Sequence, residues 1–145
     1  MTRGASERGS SLLLFPAAVF VMMVLGAITV DFSIAFLGER ELAGATAAAA
    51  NDAAALALNN RDFYQEGEVV LDGAAATQLA TDAVRSALDR ERYHDVRVDV
   101  SVTAGRRGVV VTASAEMDYL FSPALPGAPE RARVAATSSA SLRSE

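Results

Sequence analysis

The 145-residue chain contains no cysteine, no lysine and one histidine, His94. Without cysteine it has neither disulfide staples nor thiolate metal sites, although many exported proteins also lack disulfides, so this does not fix its compartment. Its thirteen basic residues, all arginine, are interspersed with eighteen acids for a formal charge of -5. No basic patch results, and a chain without one does not grip a phosphate backbone, so nucleic acid is not an expected partner. The length allows one modest domain and, as the next feature shows, an anchor.

Gly9 to Val30, GSSLLLFPAAVFVMMVLGAITV, carries no charge. Twenty-two helical residues at about 1.5 Å each cover roughly 33 Å, the thickness of a bilayer's hydrocarbon, so residues 9–30 are expected to be a transmembrane helix. A secretory signal would have a shorter apolar core of about 7 to 15 residues. Pro16 predicts a kink without a break, since neighbouring groups can satisfy the freed carbonyl. Arg3 and Arg8 precede the run, while Asp31, Glu39 and Glu41 follow it. The positive-inside bias then puts residues 1–8 in the cytoplasm and 31–145 outside.

The helical pattern continues past Asp31 without proline, through an alanine-rich stretch, to near Asn59. This predicts an extracytoplasmic stalk helix over residues 31–59, in which Gly38 and Gly44 cost only about 1 kcal/mol each. Leu42, Ala45, Ala49, Ala53 and Leu56 recur at helical spacing and form a narrow packing stripe of small side chains. Asp52 falls about 60° from the centre of that stripe, at its border.

Residues 60–145 are expected to form a small head. Asn59 to Asp62 have turn chemistry, and EVVLD at 68–72 reads as a short strand. Residues 74–92 predict a second helix, with Ala76, Leu79, Ala83 and Ala87 on its apolar face and arginines gathered at its end. Three period-two segments, 96–102, 109–119 and 132–142, predict strands with one buried face; AGRRG at 104–108 joins the first two as a hairpin. SPALPGAP at 122–129 is a proline-rich loop. The fold class is therefore α+β, a second helix and the stalk laid on a small antiparallel sheet.

Catalysis leaves traces in a sequence, and none stands out here. His94 reads as a solvated linker residue, and Glu116 and Asp118 as the ordinary acids of a strand's polar face rather than cation ligands. Arg106 and Arg107 read as solubilising residues at a hairpin tip. Tyr119, Leu120 and Phe121 are expected to close the core half-buried, in preference to forming an exposed docking patch, and the serines at 138, 139, 141 and 144 have no base beside them. No catalytic residue, metal, cofactor or small-molecule substrate is expected.

Taken in order, Arg8-Gly9-Ser10, the apolar span, VDFS at 30–33, ERE at 39–41 and ANDAAALAL at 50–58 resemble the TadE/TadG family of tight-adherence pilus-assembly proteins. The positions that carry the resemblance are Gly9, Asp31, Asp52, Ala53, Ala54, Ala55, Leu56 and Ala57. It implies a single-pass, pilin-like protein of the bacterial cytoplasmic membrane, its head outside, helping to assemble Flp-type pili or a related secretion filament beside other pilin-like and assembly proteins. It also implies possible processing at Gly9. Leu14 stands where pilin-type precursors usually carry a glutamate. A minor pilin or assembly component therefore fits better than the main polymerising subunit. The competing reading is a membrane-tethered binding or sensor module. For Asp52 three roles stay open: capping a helix that restarts at Ala53, standing solvated, or pairing with an arginine of the head or of another subunit.

Overall fold

The computed structural model describes residues 7–58, 70–125 and 127–142, with side chains from Leu14 onward. Two helices, α1 (Glu7–Leu56) and α2 (Gly73–Ala87), precede three strands, β1 (Tyr93–Val102), β2 (Gly108–Asp118) and β3 (Arg131–Ser141), with a 3-10 turn at Ser122–Ala124. The strands form one antiparallel sheet in the order β1-β2-β3. The architecture is the α+β one that the periodicities predict, with boundaries moved where local chemistry intervenes.

α1 is one continuous helix of 50 residues that passes through Pro16 without a break. Its first half and its second half live in different surroundings. From Leu14 to Val30 no side chain is buried, and Phe15 and Met22 are both 75% exposed. From Asp31 onward one face enters the core through Gly38, Leu42, Ala45, Thr46, Ala49, Ala50, Ala53, Ala54 and Ala57. Alanine brings the helix backbone close to its neighbours at almost no cost in side-chain entropy. The one buried hydroxyl here, Thr46 Oγ1, donates to the Leu42 carbonyl at 2.7 Å and so is not left unpaired. The residues expected as a head are thus completed by the stalk: α1 packs on α2, β2 and β3.

α2 begins where Asp72 accepts hydrogen bonds from the amides of Ala74 (2.9 Å) and Ala75 (3.1 Å), a side-chain N-cap. The strand expected over 68–72 is replaced by this cap and by a single bridge between Leu71 and Leu58, residues 68 and 69 lying outside the described residues. The Asn59 to Asp62 turn also lies outside them. α2 stops at Ala87, five residues short of expectation, because Leu88 turns to extended backbone and buries its side chain while Asp89 builds a turn, its carboxylate accepting the Glu91 amide and its carbonyl the amides of Arg92 and Tyr93. Its buried row is Ala76, Ala80 and Val84, with Leu79 and Ala83 at the edge of the core and Ala87 exposed.

On the sheet, Val109, Val111, Ala113, Ala115 and Met117 of β2 face the helices, while the alternate residues face water. β1 holds a bulge between His94 and Arg97, where Asp95 takes a left-handed φ of 49°. One extra residue flips the alternation. Tyr93 therefore points inward with Val96 and Val98, where strict period two would turn it out. At the hairpin, Gly105 (φ 81°) and Arg106 (φ 53°) make the reversal.

Candidate functional site

The two halves of α1 meet at Asp31, which is buried to 6% exposure one residue beyond the charge-free run. A lone carboxylate in such a place needs strong donors, since burying an ionised group without partners is costly. The donors come from the far end of β2: Asp31 Oδ1 accepts from the amides of Leu120 (2.8 Å) and Phe121 (3.0 Å), and Oδ2 from Phe121 (3.3 Å) and Ser122 (2.7 Å). Three successive amides opening a 3-10 turn form a natural anion cradle, and here a carboxylate of the same chain fills it. The loop itself is closed by Ser122 Oγ donating to the Pro129 carbonyl at 2.7 Å. The sheet and the long helix are therefore tied together at the level of Asp31.

Two turns further along, α1 passes against Tyr93 and Met117, opposite partners on β1 and β2. Position 38 is a close fit: an added Cβ would overlap Met117 Sδ and Cε, so the end of that buried side chain would have to shift. The Tyr93 hydroxyl lies 2.9 Å from Glu41 Oε2 and 3.2 Å from the Gly38 carbonyl, one proton between two acceptors. Burial, then the hydrogen bond to Glu41 and its charge, push the phenol up to about 12. Arg92 lies 3.5 Å from Glu41 and stands over the Tyr93 ring at 5.9 Å from its centroid. This second tie holds the helix and sheet in one axial register.

The other residues singled out in the sequence are scattered. α1 runs through Asp52 without restarting at Ala53, so Asp52 caps nothing; it is exposed and, among the described residues, makes no hydrogen bond or ion pair. Of the stripe, Leu42, Ala45, Ala49 and Ala53 are buried, but Leu56 is 68% exposed and Ala57 takes its place. The buried face broadens into the pairs 45/46, 49/50 and 53/54 with 57, as suits a helix that packs on both α2 and the sheet, and position 56 falls outside it. Ala54 is buried and Ala55 exposed. Gly9 lies in α1, far in sequence from any residue of the head.

His94 is no free linker: its Nε2 lies 3.0 Å from Asp118 Oδ2, across the β1-β2 pair. Asp118 also accepts from Arg131 Nε at 2.9 Å, and Glu116 pairs with Arg131 (3.7 Å) and Arg133 (3.3 Å). The hydrogen bonds from His94 and then Arg131 hold the Asp118 carboxyl below the usual carboxylate range. The two acids are thus engaged in an exposed ladder on the sheet's outer face. Among the described residues no group of three or more His, Cys, Asp or Glu could hold a metal ion. Arg106, expected merely to solubilise the hairpin, donates through Nε to the Leu71 carbonyl at 3.0 Å and receives the Leu71 amide on its own carbonyl at 2.7 Å. Of the three residues expected to close the core, Tyr119 is half-buried, whereas Leu120 (64%) and Phe121 (42%) are exposed; Leu125 beside them is also exposed (39%).

Gly38, Tyr93 and Met117 carry much of this junction without having been singled out. The sequence does hold a signal for the first: the stripe beginning at Leu42 extends back at helical spacing through Gly38 to Asp31. The bulge that turns Tyr93 inward has no such signature. Comparison of the chain with protein-family models, with curated proteins and with solved structures finds no match. One helix of the described chain is long and apolar enough to cross a membrane, which is compatible with a membrane anchor.

Proposed function

We propose that the chain is a single-pass, membrane-anchored protein of the bacterial envelope, a TadE/TadG-like minor pilin or assembly component of a Flp-type pilus or related secretion filament, which acts by contact and not by catalysis. The observation that carries the reading is the division of α1: one unbroken rod, bare and mostly apolar from Leu14 to Val30, built into the core of an α+β head beyond Asp31. A bare apolar helix of that length is satisfied by lipid or by other helices. The family-like positions support the same reading, because Asp31 is the residue that couples the rod to the head. The arginines before the span and the acids after it favour a cytoplasmic N-terminus and an outer head at the cytoplasmic membrane.

Asp52 offers a clean probe of the assembly role, being exposed with no tie among the described residues to lose. Asp52→Ala is expected to insert and fold as the parent does while reducing surface filaments and the recovery of co-purifying envelope proteins. Gene deletion is expected to abolish both. Intact filaments with an unchanged complex in the deletion strain would remove the proposal.

A further inference from the structure

We propose that the loop leaving β2 is seated in the outer polar-apolar boundary of a lipid bilayer, so that head and anchor occupy the membrane as one body; this rests on the membrane-anchor reading above. Residues 119–129, YLFSPALPGAP, contain no charge in eleven positions, flanked by Asp118 and Glu130. Within this segment Leu120, Phe121 and Leu125 present large apolar side chains to the outside. Their height is fixed by the Asp31 cradle. The groove of about 280 Å³ between loop and helix is lined by Phe121 and Leu125 on one side and by Ala27 and Ile28 on the other. Ile28 belongs to the last turn of the charge-free run, about 4.5 Å below Asp31 along the axis at 1.5 Å per residue. The loop therefore overhangs the end of the span.

The occupant follows from what surrounds this loop. At the same level α1 exposes Phe32 (71%), and one turn on Phe36 (66%), so large apolar side chains of the helix and of the loop stand at one height, with only the uncharged Thr29 and Ser33 among them on the helix. Asp31 is the only charge between Gly9 and Gly38, and both its oxygens accept from the loop's amides, which offsets part of the cost of holding a carboxylate at this depth. Glu39, Arg40 and Glu41 then mark the first fully polar turn. An uncharged aromatic and aliphatic collar just beneath a charged turn matches the bilayer interface, where apolar groups sink about 5–10 Å into the headgroup boundary.

The absence of cysteine makes the test direct, because any introduced thiol is the only one. Full-length Leu120→Cys, Phe20→Cys and Arg107→Cys proteins, each carrying an environment-sensitive dye, are reconstituted into phosphatidylcholine/phosphatidylglycerol vesicles with nitroxide lipids. The expected result is several-fold stronger quenching at 120 than at 107, greatest with a shallow nitroxide, and quenching at 20 greatest with a deep one. Quenching at 20 with 120 no different from 107 would overturn the seated loop and leave the anchor standing. No quenching at either 20 or 120 would overturn the anchor, and the seated loop with it. Dye at 120 shielded only by self-association, relieved on dilution into excess lipid, would assign the collar to a second copy and overturn the proposal.

Discussion

Removing the Asp31 carboxylate strips three successive amides of their acceptor at once. The bonds measure 2.7 to 3.0 Å at their shortest, and a hydrogen bond to a charged group contributes about 1.5–3 kcal/mol when water is excluded. Here the donors sit on a half-exposed loop, so solvent replaces part of each bond, and Asp31→Ala is expected to cost about 2–4 kcal/mol in total. The loop should open locally before the sheet does. Amide hydrogen exchange at Leu120, Phe121 and Ser122 is the assay, and the expected acceleration is roughly 30- to 1,000-fold at tenfold per 1.4 kcal/mol. Val111, in the buried centre of β2, should change far less. Asp31→Asn should fall between parent and alanine, since one oxygen still serves Leu120 and Phe121 while the amide nitrogen meets the Ser122 N–H donor to donor. Unaltered exchange at all three amides in Asp31→Ala would refute the idea that this carboxylate fixes the head on the helix.

Glycine at 38 and at 44 should respond oppositely to alanine. Gly38→Ala drives a Cβ into Met117 and is expected to destabilise by about 1–3 kcal/mol, an effect that a shortened Met117→Ala partner should partly relieve in a double-mutant cycle. At Gly44 an added Cβ meets nothing within 4 Å, so Gly44→Ala should stabilise by about 0.5–1 kcal/mol; chemical unfolding in detergent measures both, and similar signs would contradict the packing described. Tyr93 predicts an alkaline limb. Below its unfolded value near 10 the phenol is neutral in both states; above it the unfolded chain ionises first, while the native one holds its proton to about 12. Stability should then fall between pH 10 and 12 with a slope approaching about 1.4 kcal/mol per pH unit, and Tyr93→Phe should remove that part of the slope in urea titrations.

Where an element's identity depends on local pattern, it was legible from the chain alone. Twenty-two uncharged residues, an alanine-rich continuation without proline, and three alternating valine-rich segments specify a long helix and a sheet because helical and extended backbones impose periods of 3.6 and 2 on any amphipathic stretch. The buried row Leu42, Ala45, Ala49 and Ala53 follows from the same arithmetic. Asp31 was marked as important by its place in a pattern, but nothing local says that its partner is the backbone of residues 120–122, some ninety positions away. Such pairings depend on how elements are brought together in space. The end of the stripe illustrates this: on a helix packed against both α2 and the sheet, Leu56 is out and Ala57 in. Tyr93 faces inward through one extra residue in β1, and Gly38 leaves the space that the end of the Met117 side chain on β2 occupies. Periodicity fixed which faces had to be buried, whereas close packing, which is felt atom by atom between distant parts of the chain, decided what met across them.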